Sequence, residues 1–198
     1  MSQFKGILIH DGWSPYRTLN CQHGLCNAHH LRELTYLYEE FKQDWAGEMI
    51  ELLVYANNQV KKCPLSPEQV AHLRGVFDTL LEVGDLMNQR NPSVQGKRGR
   101  VKQSKAINLI DRLRIYSEDV WRFATNPLVP FTNNIAEQAI RMPKVKQKIS
   151  GCFRTQKGAD VFCTIRSYLA TLHKQGANLF RSLVKTFQGF VPQPAATG

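Results

Sequence analysis

Asp11 and Glu137 are two carboxylates whose settings suit metal-dependent phosphate chemistry. Asp11 closes the apolar run Phe4-Lys5-Gly6-Ile7-Leu8-Ile9-His10-Asp11. Glu137 lies in Pro130-Phe131-Thr132-Asn133-Asn134-Ile135-Ala136-Glu137-Gln138-Ala139-Ile140-Arg141, with a dense basic stretch after it. One carboxylate at a strand end and another on a helix, beside cationic side chains, can hold Mg²⁺ near a phosphate. Each also has an ordinary structural reading. Asp-Gly after a strand is a common turn. Asn134-Ile135-Ala136-Glu137 fits a capping box, and Arg141 is placed one turn on as an ion-pair partner. What favours chemistry is the company: residues 131–134 before Glu137, and no acid between Glu137 and Asp160.

Charge points the same way. The net charge of +10 is uneven: residues 1–95 carry 8 Lys/Arg against 11 Asp/Glu, and residues 96–198 carry 18 against 5. Lys97, Arg98, Arg100, Lys102 and Lys105 form one cluster; Arg141, Lys144, Lys146, Lys148, Arg154 and Lys157 form another. Such concentrated charge attracts phosphate backbones through counterion release, the alternative being a solvated basic face. Lys97, Arg98, Arg100, Arg141, Lys144, Lys146, Lys148 and Arg154 are the expected nucleic-acid contacts. Cys21, His23, Cys26, His29 and His30 gather possible zinc donors, with Cys26 and His29 at a helix start. Their spacing is compressed and no second Cys/His pair follows, so Cys26 and His29 read as structural residues and zinc is not expected.

These residues need elements to position them. Ile7, Leu8 and Ile9, bounded by Gly6 and Asp11-Gly12, predict a buried strand over residues 4–11. Gly24-Leu25-Cys26 reads as a second short strand. From about His29 the spacing is helical through Leu31, Leu34, Leu37, Tyr38, Phe41 and Trp45, and helix continues from Glu48 to Lys62. Ser66-Pro67-Glu68-Gln69 is a capping box with Pro in the first turn, opening a helix to about Arg90 with Val70, Leu73, Phe77, Leu80, Leu81 and Met87 on its apolar stripe. Residues 91–100 read as a basic loop. Helix resumes near Ser104 with Ile107, Ile110 and Leu113 inward, restarts at Ser117, and begins again near Asn134, with Pro143 expected to end or kink it. Further helices span Gly158 to Gln175, stopped by Gly176, and Asn178 to Phe187.

Composition bounds the class. Apolar content of 42% and charged content of 21% over 198 residues describe a globular chain of one domain with an elaboration. The apolar runs are too short to span a bilayer, and Met-Ser-Gln-Phe-Lys is no signal peptide. Five cysteines without framework spacing suit a reducing compartment, so a cytoplasmic protein is expected.

Several segments together resemble a known family. They are Leu109-Ile110-Asp111-Arg112-Leu113, the Asn133-Asn134-Ile135-Ala136-Glu137 stretch through Arg141, Gly158-Ala159, and Thr171-Leu172-His173-Lys174-Gln175-Gly176. Upstream, Cys26-Asn27-Ala28-His29-His30-Leu31-Arg32-Glu33-Leu34 follows a strand ending in Asp11. Roughly from Gly6 to Leu183 the chain resembles the DDE transposases of bacterial insertion sequences, specifically the family numbered sixty-six. The resemblance implies an α/β, mostly helical fold: a partial ribonuclease H-like core (residues 1–45 and 126–176) holding a helical insertion (46–125), then a C-terminal helix and tail (177–198). It implies that Asp11 is the second catalytic aspartate, that Glu137 is the closing glutamate, and that both are metal ligands. Mg²⁺ (or Mn²⁺) would serve strand cleavage and strand transfer in the intact enzyme, a homo-oligomer acting on transposon ends and target DNA. Residues 1–10 are too few for the strands and helix that carry the family's first aspartate. This chain is therefore expected to be the C-terminal part of such an enzyme, inactive alone. The alternative is a non-catalytic, basic nucleic-acid-binding remnant or regulator of transposition.

Overall fold

The computed structural model describes residues 4–92 and 101–195. It divides into two compact units, Met1–Asn133 and Asn134–Gly198. Among the described residues the protein is mostly helical, with one two-stranded parallel sheet.

The first unit starts with that sheet. Strand β1 (Ile7–His10) pairs in parallel with β2 (Gln22–Leu25), Ile7 opposite Gln22 and His10 opposite Leu25. A parallel pair needs a crossover, and residues 11–21 supply it through a short 3-10 helix, Ser14–Thr18, with Pro15 in its first turn. β2 passes straight into α1 (Asn27–Phe41), which is followed by α2 (Asp44–Lys62), α3 (Pro67–Met87), α4 (Lys105–Ile115) and α5 (Ser117–Thr125).

Local signals in the sequence explain where these helices begin. Ser66 accepts the Gln69 N–H while the Gln69 side chain accepts the Ser66 N–H, the reciprocal capping box that opens α3. Ser104 caps α4 with a single bond, its hydroxyl accepting the Ile107 N–H. α1 starts earlier than the apolar spacing suggests, at Asn27, because Cys26 and Asn27 are tied to other segments of the unit.

Burial then assembles the five helices. Leu34, Leu37, Trp45, Met49, Leu53, Phe77, Leu81, Ile110, Leu113, Val120 and Trp121 form one contiguous core against the β2 end at Leu25. Its aromatic spine runs Phe77–Trp121–Phe123–Phe131, with centroid separations of 5.7, 5.9 and 4.8 Å. The first and last pairs meet edge to face and the middle pair is stacked, contacts that add to the area term. Met87, Tyr38 and Phe41, predicted on apolar stripes, are exposed instead, because each lies at the end of its helix or off its buried face.

The second unit holds α6 (Asn134–Ser150), α7 (Gln156–Lys174) and α8 (Leu179–Phe187). Pro143 does not end α6; the helix runs on through it to Ser150. Proline removes one backbone donor and strains the preceding turn, yet the residues beyond it remain helical. Gly151 and Gly176 adopt φ of 73° and 75°, the left-handed turns that close α6 and α7. Thr155 and Asn178 cap the next two helices by accepting the Gly158 and Arg181 N–H groups. Of this unit's described apolar side chains only Leu172 is fully buried; Val161 and Ile165 of the α7 stripe are half exposed. Among the described residues no helix is long and apolar enough to cross a membrane.

Two glycines of α3 should respond oppositely to alanine. At Gly84 an added Cβ would lie 2.9 Å from Ile110 Cδ1 and 3.0 Å from the Trp45 ring. Overpacking there outweighs the gain in helix propensity, so Gly84→Ala is expected to cost about 1–2 kcal/mol. Gly75 has nothing within 4 Å of the same position, so Gly75→Ala should add about 0.5–1 kcal/mol. Urea unfolding midpoints of the two variants check both signs.

Candidate functional site

Asp11 stands one residue beyond the carboxyl end of β1, where ligands of parallel sheets are commonly met. It is exposed, and its Oδ1 accepts the Trp13 N–H at 3.0 Å. That bond fixes the carboxylate's direction. An ionised carboxylate offers about four acceptor positions, so one backbone donor leaves room for a hard cation, and the donor chemistry fits Mg²⁺ or Mn²⁺.

The turn that carries Asp11 is held from behind by two histidines. The Gly12 N–H donates to His10 Nδ1 at 3.0 Å, which makes Nδ1 an acceptor and puts the proton on Nε2. His10 Nε2 then donates to His23 Nδ1 at 3.1 Å, and His23 Nε2 donates to the Leu19 carbonyl at 3.2 Å. The chain of bonds is consistent only with both rings neutral. Burial pulls His10 down from its ordinary pKa to about 4, helped by the positive charge of Arg17 and by His23, while Asp11 and Asp119 oppose the shift. His23, one of the possible zinc donors in the sequence, has both ring nitrogens engaged in this chain.

A carboxylate from far along the chain braces the same crossover. Asp119 of α5 pairs with Arg17 of the 3-10 helix and, at 3.0 Å, with Arg122. Arg122 Nε donates to the His23 carbonyl in β2. The Arg17 guanidinium stacks 3.8 Å from the centre of the Tyr116 ring. Nothing local in the sequence marks Arg17, Asp119 or Arg122 for this role, since the partners lie about a hundred residues apart.

Cys26 and His29 lie together at the start of α1, the His29 N–H bonded to the Cys26 carbonyl at 3.1 Å. Cys26 is buried, its N–H extends the ladder to the His10 carbonyl at 2.9 Å, and its Sγ accepts the Asn133 N–H at 3.3 Å. Next to it, the Asn27 N–H donates to the Phe131 carbonyl and its side-chain amide to the Val120 carbonyl, each at 3.0 Å. That orients Asn27 Oδ1 to accept from His30 Nδ1 at 3.0 Å. Burial drives the His30 pKa down to about 3, with the Arg112 charge and His29 adding to the effect.

In the second unit Glu137 occupies the first turn of α6 and is half buried. Arg141, Lys144, Lys146, Lys148 and Arg154 are all exposed. Arg141, Lys144 and Lys148 follow one another at three- and four-residue spacing, so they share a helix face, and Lys146 falls off it. Lys97, Arg98 and Arg100 lie outside the described residues. The segments flanking them are pinned together: Asn91 and Gln103 exchange backbone and side-chain bonds at 2.8 and 2.9 Å, and the Asn91 amide reaches the Lys102 carbonyl at 2.7 Å.

Residues 1–161 match the family model described as Transposase IS66 family. The chain belongs to that family. The match runs from the start of the chain through α6 into the first turns of α7, and so takes in Asp11, Cys26, His29, Glu137 and the basic residues of α6. No curated protein and no solved structure matches the chain. Membership of the IS66 transposase family assigns the protein a general role in transposition, with DNA as the substrate class that the family implies.

Both buried histidines are neutral in the folded protein and titrate near 6.5 when unfolded. Their folded-state values are lowered, so the unfolded chain takes up protons first as the pH drops. Stability is complete above about pH 6.5 and falls toward pH 4 for His10 and pH 3 for His30, each by about 1.4 kcal/mol per unit. Urea melts at pH 7.5 and pH 5 should differ by roughly 3–4 kcal/mol. Equal melts would show that the histidines are protonated in the folded state.

Proposed function

We propose that this IS66-family chain supplies part of a ribonuclease H-like DDE catalytic core, in which Asp11 and Glu137 are metal-ligating carboxylates for DNA strand cleavage and transfer. The observation that carries this is the position of Asp11: exposed, at the carboxyl end of a parallel strand, with its turn fixed by Trp13, Gly12 and His10. A divalent cation such as Mg²⁺ or Mn²⁺, when bound, would activate the attacking hydroxyl and stabilise the leaving oxygen of a phosphodiester. The chain's own part is to present hard oxygen donors in a set direction. The His10–His23 chain and the Asp119 brace hold the Asp11 turn, so the carboxylate needs little rearrangement to act. In this reading residues 1–45 and 126–176 belong to the core and residues 46–125 form a helical insertion. The helices α2 to α5 share one core with α1, so the insertion would act as a buttress for it.

The basic face of α6 supports a second role, holding the DNA backbone. Arg141, Lys144 and Lys148 would contact successive phosphates, with Lys146 and Arg154 nearby and Lys97, Arg98 and Arg100 as a separate clamp. Such contacts position DNA without reading its sequence. The working form would be a homo-oligomer that brings transposon ends and target together. The exposed basic face is also what favours the rival reading, a DNA-binding regulator without catalysis. Metal dependence separates the two.

In the intact enzyme, with the family's first aspartate supplied, Asp11→Asn and Glu137→Gln are each expected to abolish Mg²⁺- or Mn²⁺-dependent cleavage of DNA bearing the element's ends, while duplex affinity stays unchanged. Undiminished cleavage in either variant sinks the catalytic assignment. Replacing Arg141, Lys144 and Lys148 together by alanine should weaken duplex binding and flatten the plot of log affinity against log salt by about 0.9 per lost contact. An unaltered slope would move the DNA path off α6.

A further inference from the structure

Trp13 is the second residue after Asp11, and its indole is 61% exposed. The other two tryptophans, Trp45 and Trp121, are 1% and 0% exposed, as befits a residue with so much apolar surface. Trp13 is not left out by disorder in its backbone. Its N–H is bonded to Asp11 Oδ1, its carbonyl accepts the Tyr16 N–H at 3.0 Å, and the 3-10 helix with Pro15 follows directly. Tyr16 meets the indole nearly at right angles, with ring centroids 5.5 Å apart, and is itself backed by His10 at 5.1 Å. Tyr16 is also 36% exposed. The crossover therefore holds a fixed aromatic pair outward, directly beside the carboxylate assigned to DNA chemistry.

Size and the family's substrate class choose the occupant. Two rings are far too little for a protein interface, which takes about 800 Å² from each partner. They suit one flat aromatic group of ligand. The excess positive charge lies in residues 96–198 and so does not choose the occupant here; the family does, since DNA, the substrate class it implies, is a strand that bears such groups. Aromatic side chains stack on unpaired nucleobases with little regard to sequence. Bases inside a duplex have both faces covered, so only an unpaired or extruded base can use the platform.

We propose that Trp13, steadied by Tyr16, is a stacking platform for one unpaired DNA base at the strand being processed. This rests on the reading of Asp11 as a catalytic carboxylate. A base stacked on Trp13 would fix the register of its strand, so that a neighbouring phosphodiester lies at Asp11. Trp13 is thus a substrate-positioning residue that contacts DNA.

The test uses the full chain, a single-stranded oligodeoxythymidylate, the same strand with abasic sites throughout, and a blunt duplex. Trp13 is the exposed tryptophan, so its fluorescence should be quenched by the thymidylate strand and far less by the abasic one. Trp13→Ala should lose at least about fivefold in affinity for the thymidylate strand. Its duplex affinity should stay unchanged, and Trp13→Phe should restore most of the single-strand binding. A Trp13→Ala protein that binds the thymidylate strand as tightly as the parent overturns the proposal, as does equal binding of the abasic strand. Duplex binding that survives in those cases leaves the DNA assignment intact. Failure to bind any of the three at low salt would sink both.

Discussion

The junction between β2 and α1 is the constraint on which the first unit depends. Within two residues, Cys26 and Asn27 bond to His10 at the end of β1, to Val120 in α5, and to Phe131 and Asn133 at the end of the unit. Four segments distant in sequence meet there. Asn27 is fully buried, so its amide cannot fall back on water if a partner is removed. Each donor or acceptor orphaned in such a place costs about 1–3 kcal/mol, a large share of the 5–15 kcal/mol that holds a domain folded. Hydrophobic burial brings the helices together, but it is nearly indifferent to register. The polar junction selects one arrangement, with the β1 end and the approach to α6 both referred to the same pair of residues.

The ion pairs divide by burial rather than by number. Asp119 has a side-chain exposure of 13%, and its partners Arg17 and Arg122 stand at 21% and 22%. Removing Asp119 would strand two guanidinium groups against a low-dielectric wall, which is costly. Arg112–Glu33 at 2.6 Å is as short as a strong pair, yet both side chains are a third to a half exposed. Solvent screens that pair and its net contribution is small. The crossover is therefore held by the less conspicuous network, and the conspicuous surface bridges mainly decorate α1, α3 and α4.

Local features were legible in the sequence and remote ones were not. The Ser66–Gln69 box, the helix start near Ser104, the turn at Gly176 and the inward positions Ile107, Ile110 and Leu113 all follow from spacing within a few residues. A strand leading to Asp11 was visible because three apolar residues run together before it, but it spans Ile7–His10 rather than residues 4–11 and those three are half-buried rather than buried. The histidine chain could not be seen, because His10 and His23 lie thirteen residues apart with a crossover between them and no motif connecting them. Asp119 stands in the first turn of α5, an ordinary place for an acid, and only the tertiary fold puts Arg17 against it. Of the two effects expected at Pro143, an end or a kink, the run of α6 to Ser150 removes the first: proline's local penalty is readable, whereas the context that tolerates it is not. Asp11 and Glu137 as candidate residues came from type and setting, whereas Trp13 reads only as a loop residue because exposure is a property of the folded chain.

The bond from Asn133 to the Cys26 sulfur also makes that thiol a clock. Cys63, Cys152 and Cys163 are exposed, so an alkylating reagent can reach them in the native protein. Cys26 is enclosed, and its sulfur becomes accessible only when the β2–α1 junction opens. Under conditions where reagent traps each opening, the slow phase of thiol modification measures how often that junction comes apart, apart from global unfolding. The same four segments that meet at Cys26 and Asn27 would then report their cohesion through one sulfur atom.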